Sequence, residues 1–285
     1  MRNWQGFRRF PRPSDSCAAT ARNRALVVAL VCGAMIGCGS PPIEGVETAR
    51  TGGNGATSLS ITVPASTEGT AAGDLLLAML GVKANPNTRG PAGWSAIPGF
   101  QGFNGALCGS DTEGTACQLS VFYKIADGSE STVDFSWGTT RQAAGAVLRY
   151  SNADTTEPIG ATRTARGSNS TPTAPVVTTT RASSRVLRLA VAESDDAREF
   201  LAGSLVFADE PTTIRFNIVS FPDAISDPTN GCGPPLSECA LTDDAVALAG
   251  SDVHKGAVGA SGTGEWELLG GDQWLAASIE IKVAL

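Results

Sequence analysis

Apolar residues in this chain recur at every second position or in short unbroken runs. No long stretch beyond residue 38 keeps the 3.6-residue apolar period of a helix. Ser58-Leu-Ser-Ile-Thr-Val63 puts Leu59, Ile61 and Val63 on one face and hydroxyls on the other, the pattern of a half-buried strand. Asp74-Leu-Leu-Leu-Ala-Met-Leu-Gly-Val82 is apolar almost throughout, which fits a strand covered on both faces. Further strands are expected over 118–125, 131–137, 143–150, 185–191, 213–220, 244–250, 265–268 and 273–283. Segment 171–180 reads as an edge strand because its prolines cannot donate to a ladder. Residues 197–208 read as one helical turn or a strand, and 256–264 as a glycine-rich turn. Glycine and proline punctuation between short strands predicts an all-β fold: an antiparallel β-sandwich, jelly-roll-like, in a single domain over 57–285. The least regular part, 222–241, reads as a loop insertion, the kind of place where binding function usually sits.

Several pieces occur in a fixed order: Ala72-Gly-Asp-Leu-Leu-Leu-Ala-Met-Leu80, Pro91-Ala-Gly-Trp-Ser-Ala-Ile97, Ser120-Val-Phe-Tyr-Lys-Ile-Ala-Asp-Gly128, residues 143–158, residues 171–180 and Asp272-Gln-Trp-Leu-Ala-Ala-Ser-Ile-Glu-Ile281. Together they resemble a β-sandwich module of exported bacterial surface proteins and some phage tail-associated proteins, over most of 56–283. These are packing and turn motifs, so the resemblance implies a fold and carries no catalytic signature. Two cysteine loops look like additions to it.

The N-terminal region gives an address. Six arginines and one acid lie within residues 1–24, followed by uncharged Ala25-Leu-Val-Val-Ala-Leu-Val-Cys-Gly-Ala-Met-Ile-Gly37. A basic region before a short apolar core is the plan of a secretory signal peptide, and the run is shorter than the roughly 20 residues of a membrane span. Met35-Ile36-Gly37-Cys38 resembles the lipobox of bacterial lipoproteins, although Met35 stands where leucine is usual. The resemblance implies that Cys38 is acylated and becomes the first residue after cleavage. Several acyl chains hold far better than one. Cys32 is a weaker candidate because bulky Val31 precedes it, and cleavage after a small residue nearby would give plain secretion; either route exports the chain. Gly39-Ser40 lacks an aspartate resembling an inner-membrane retention signal, so an outer membrane is expected if the cell is Gram-negative. The expected layout is a signal peptide over 1–37, a flexible Gly/Pro/Thr-rich tether over 38–56, then the domain.

Removing residues 1–37 takes six arginines and one aspartate from 21 basic and 28 acidic residues. That leaves 15 against 27, a net charge of −12. Such a balance disfavours nucleic acid, whose phosphates need a basic face. Membrane contact is expected through the lipid anchor, with a glycan or a surface protein as further partner. Cys108 and Cys117 form one local pair and Cys232 and Cys239 another; in an oxidising compartment both favour disulfides. Four cysteines allow three pairings, of which the local one is preferred. Zinc is disfavoured, since the spacings are not CxxC and no histidine is near.

Catalytic chemistry has few candidates. His254 is the single histidine, and its neighbours Ser251 and Asp252 do not make a triad by adjacency, because successive strand residues face opposite ways. Glu193, Asp195 and Asp196, or Glu265 and Glu267 around Trp266, could serve a glycosidase, which needs two acids flanking one bond. Alternation instead puts Trp266 in the core. Glu193, Asp195 and Asp196, or Asp243 and Asp244, could hold a structural calcium, but neither cluster follows the twelve-residue EF-hand loop, and no cofactor is expected. Exposed aromatics are the remaining signal: Phe100 and Phe103, in the glycine-rich 98–105 loop, are the candidate sugar-stacking residues. The expected function is non-enzymatic: adhesion, glycan binding or envelope structure at the cell surface. The alternative is a secreted polysaccharide hydrolase using paired carboxylates.

Overall fold

The computed structural model describes residues 41–52, 55–67, 72–84, 88–100, 106–108, 117–194, 212–220, 245–268 and 272–285. Gly37–Leu285 form one compact unit. All paired strands are antiparallel, and they form two large sheets packed face to face. The chain is an all-β sandwich.

The first half contributes β1 (Ile43–Arg50), β2 (Ala56–Thr62), β3 (Leu75–Lys83), β4 (Ser95–Ala96), β5 (Ala106–Leu107), β6 (Cys117–Ile125), β7 (Thr132–Arg141) and β8 (Ala143–Tyr150). Its main sheet runs β1-β8-β3-β6-β4, with β5 also on β6, and β2 pairs with β7 as a separate layer. First strand beside last, third beside sixth, and second with seventh on the facing layer is the winding of a jelly roll. The second half contributes β9 (Ile159–Gly167), β10 (Thr173–Ala174), β11 (Ser184–Ser194), β12 (Thr212–Val219), β13 (Ala245–Lys255), β14 (Gly264–Glu265) and β15 (Trp274–Ile281). Its sheet runs β12-β13-β11-β15-β9, with β10 and β14 paired separately. Read from the other edge, β9-β15-β11-β13 repeats β1-β8-β3-β6, and the pair β10-β14 repeats β2-β7. The chain therefore winds the same way twice.

Four layers result, and they explain the unbroken apolar runs. On β3, Leu75, Leu77 and Met79 enter the central core between the sheets, while Leu76, Ala78, Leu80 and Val82 meet Leu59, Ile61, Val133 and Phe135 of the outer β2-β7 layer. Each fully buried Leu contributes about 1.5–3 kcal/mol. Likewise on β11, Leu187, Leu189 and Val191 face the centre, and Ala190 and Ala192 face outward. That outer face is a shelf of alanines (Ala190, Ala192, Ala247, Ala249, Ala276) under Trp266 and Trp274, small residues giving room to large rings. Gly81 lets the sheets approach: a Cβ there would stand 2.8 Å from Val191 Cγ2.

Two expectations need correction. Residues 43–50 are not tether but β1, paired with β8 from Ile43↔Tyr150 to Arg50↔Ala144. The strand is half exposed, so its Gly/Thr/Arg composition suits an edge. The domain thus starts ahead of residue 57, at least from Pro41. The expected strands over 171–180 and 265–268 shrink to β10 and β14, two residues each.

Candidate functional site

The strands align so that the sandwich has two distinct ends. At one, Lys83 pairs across from Cys117, Ser194 from Ala245, and Val219 from Ala247. Residues 84–116 and 220–244 therefore both leave and return at this Lys83 end, and 195–211 leaves from it. Both cysteine loops belong to these connections. Cys108 and Cys117 form a disulfide with Cα atoms 5.0 Å apart, which closes the loop between them. Its sulfurs lie in the central core beside the Val191 and Gln273 carbonyls.

Behind the disulfide, Lys83 Nζ and Glu193 Oε1 meet at 2.9 Å, both buried. They close the Lys83 end of the inter-sheet core, each following the inward-facing residues of its strand: Leu77, Met79 and Gly81 on β3, Leu189 and Val191 on β11. Buried Thr88 Oγ1 donates to Gln118 Oε1 at 3.2 Å close by.

The opposite, Pro41 end is tied by another charged cluster. Asp252 on β13 accepts from Arg185 on β11 at 3.2 Å and Arg215 on β12 at 2.8 Å, and its side chain is fully buried. Arg185 Nε also donates to the Pro41 carbonyl, and Ser151 N donates to the Pro42 carbonyl at 3.1 Å. Tyr150 is buried beside this cluster; desolvation, with the Asp252 charge, pushes its phenol well above its usual range, so it stays neutral.

Further carboxylates are committed to structure. Asp74 binds Arg149 at 2.9 Å, and Arg149 Nε donates to the Pro64 carbonyl at 2.7 Å, which fastens the chain beyond β2. Glu280 accepts from Ala161 N, Thr180 N, Arg181 N and Ser184 Oγ. Burial alone would push that carboxyl up; these donors hold it below the usual range. Amide bonds from Glu157 and Thr156, with the Arg181 guanidinium, take Asp154 down to about 2.

Of the residues singled out by sequence, Cys38, Phe103, Cys232, Cys239, Asp195, Asp196, Asp243 and Asp244 lie outside the described residues. Phe100 is not on the surface. Its segment folds back on β6 through Ile97 N→Val121 O (3.0 Å) and Phe100 N→Ile97 O (3.0 Å), which leaves the ring 1% exposed in the central core. Its ring therefore has no face free to stack a sugar. Trp137, Trp266 and Trp274 are buried, and the indoles of Trp137 and Trp274 donate to Ala56 O and Asn169 Oδ1. Glu265 and Glu267 flank buried Trp266, and Glu193 is taken by Lys83. His254 is exposed on β13, two residues beyond the Asp252 that the arginines hold. Among the described residues no cluster of three or more His, Cys, Asp or Glu could hold a metal ion.

Sequence reasoning missed Lys83–Glu193, Asp74–Arg149 and the Asp252 cluster. The available signal is parity: Lys83 and Glu193 each continue the inward-facing alternate positions of an apolar strand. A charge placed so must find a partner or leave the core.

No protein-family model matches this chain, and no curated protein or solved structure matches it either.

Proposed function

We propose that this protein is an exported lipoprotein whose domain is a non-enzymatic binding module of the cell envelope, carrying its ligand at the Lys83 end. One observation supports this most: the chain enters the fold at one end, and its long connections leave from the other. Chain following Cys38 enters at the Pro41 end, with residues 39 and 40 between Cys38 and Pro41. The long connections of both halves spring from the other end. Strands of 8–11 residues separate the ends, a span of about 25–35 Å. An acyl group on Cys38 would therefore hold the Pro41 end at the membrane and turn the long connections outward, where loops on a rigid sandwich serve recognition. The engagement of Glu193, Asp252, Asp74 and Glu280 in structural bonds favours binding over the two-carboxylate hydrolysis alternative.

Glycan arrays probed with the chain from Gly39 to Leu285, disulfides intact, with and without calcium, test the ligand part. Binding that is weakened by Thr140→Arg and Arg141→Glu, exposed at the Lys83 end, and unchanged by Val258→Ser at the Pro41 end, is expected. Binding with the opposite dependence contradicts the orientation. Absence of any glycan binding removes the glycan as ligand.

A further inference from the structure

The Pro41 end carries more than a point of attachment. We propose that it is itself a lipid-contacting surface, which seats the domain on the membrane with the 256–262 turn in the interface; this rests on the reading of Cys38 as the acylated residue.

Three observations converge on it. The first is reach. Pro41 is fixed to the fold through Arg185, and three residues at roughly 3.5 Å each leave Cys38 within about 10 Å of that point. A domain on so short a lead cannot stand clear of the head groups.

The second is the location of exposed apolar surface. Among the described residues the large apolar side chains left exposed are Ile214 (45%), Val258 (57%) and Leu285 (96%). Val258 follows β13 in the turn where Ser183 N donates to Gly256 O. Leu285 follows Ala284, whose N donates to Asn152 O. Both mark the Pro41 end, and Ile214, paired with Ser251, lies in the half of β12 nearer to it. The other sandwich end exposes no such residue among those described.

The third is charge. The chain from Cys38 onward is strongly acidic, yet several acids at this end face cations, while Glu44 and Glu280 accept from hydroxyl or amide donors. Asp252 meets Arg185 and Arg215, Asp154 meets Arg181, Glu157 meets Lys282, and Asp127 and Glu130 meet Lys124. These pairs reduce, at this end, the repulsion between an acidic protein and anionic lipid. One valine is a weak anchor by itself. On a chain already tethered, effective concentration makes a weak contact sufficient to set orientation.

The test uses the full-length chain expressed in a bacterium, purified from membranes in its acylated form and reconstituted in phosphatidylethanolamine/phosphatidylglycerol vesicles. An environment-sensitive fluorescent amino acid replaces exposed Val258 in one sample and exposed Thr140, at the far end, in another. Brominated lipids are then used as quenchers. Quenching at 258 at least about threefold stronger than at 140 is expected, together with a blue-shifted emission at 258 only. Equal, weak quenching at both sites, with the lipid on Cys38 verified by mass, overturns the docking surface and leaves the anchor standing. A chain that carries no lipid on Cys38 overturns the anchor reading and this proposal with it.

Discussion

Lys83 and Glu193 occupy equivalent positions in the two halves of the chain and meet each other across the sandwich, Nζ to Oε1, at 2.9 Å. The equivalence follows from register. Val82 faces the first residue of β8, Ala143, and Ala192 faces the first residue of β15, Trp274, so the next residue along is Lys83 in one half and Glu193 in the other. The twofold winding thus places one position of each half together at the Lys83 end, and opposite charges make that meeting favourable.

Breaking this pair takes from each buried charge the opposite charge that sits 2.9 Å away. Lys83→Met or Glu193→Leu alone should lower unfolding free energy by about 3–5 kcal/mol, whereas the double variant should recover most of the loss. Urea denaturation of the two single variants and the double variant checks it; additive losses would mean the two charges do not depend on each other.

Much of this architecture is readable from residue order, and each exception has a physical cause. β3, β8, β11 and β15 show up as largely apolar runs because a layer covers each of their faces, and β6 shows up by alternation. β2 alternates because one face is covered. β1 and β9 escaped notice, and they are the equivalent edge strands of the two halves. Both are short of large apolar residues, β9 being mostly Gly, Ala, Thr and Arg and β1 carrying two Glu, since an edge beside solvent needs backbone pairing more than apolar side chains. β13 runs past Gly250 to Lys255, through polar Ser251 and Asp252, because Arg185 and Arg215 take up the buried Asp252 carboxylate. Phe100 was misplaced for the converse reason: a glycine-rich neighbourhood suggested a surface loop, while the bend through Ile97 returns the ring to the core.

Since β1 belongs to the sheet, a chain beginning at residue 57 should lose the β8 edge pairing and the Pro41 tie to Arg185. It is expected to be insoluble or to melt at least about 10 °C below the chain beginning at Gly39, as several kcal/mol of packing and pairing are removed. Equal melting temperatures in circular dichroism would restore 43–50 to the status of a linker.

The Cys108–Cys117 bridge closes a short loop, with a sequence separation of 9. On chain-entropy grounds its removal should cost about 2–3 kcal/mol. The double Cys108→Ala/Cys117→Ala variant should therefore melt about 5–10 °C lower, read by calorimetry.

Acid should unfold the domain through carboxyls whose folded pKa is depressed. Asp154 has an ordinary value of 3.8 and a folded value of about 2, and Glu280 and Glu130 are also lowered. Their contribution is fully present above the unfolded values near 4 and is lost as pH falls toward 2. Asp154→Asn should remove part of that slope: its melting temperature should lie below wild type at pH 6 and converge with it near pH 2. Glu280→Gln should be harsher, at about 1–3 kcal/mol, because its amide nitrogen would face backbone donors. A gap that persists unchanged to pH 2 would contradict the Asp154 assignment.

The most direct test of the account is the mass of the N-terminal peptide of the mature protein, recovered from the membrane fraction of the expressing bacterium. The account predicts a peptide that begins at Cys38 and carries a diacylglyceryl group, with or without a third acyl chain. A mature chain with an unmodified cysteine, or one that retains residues 1–37, would contradict the lipid anchor and the outward orientation derived from it.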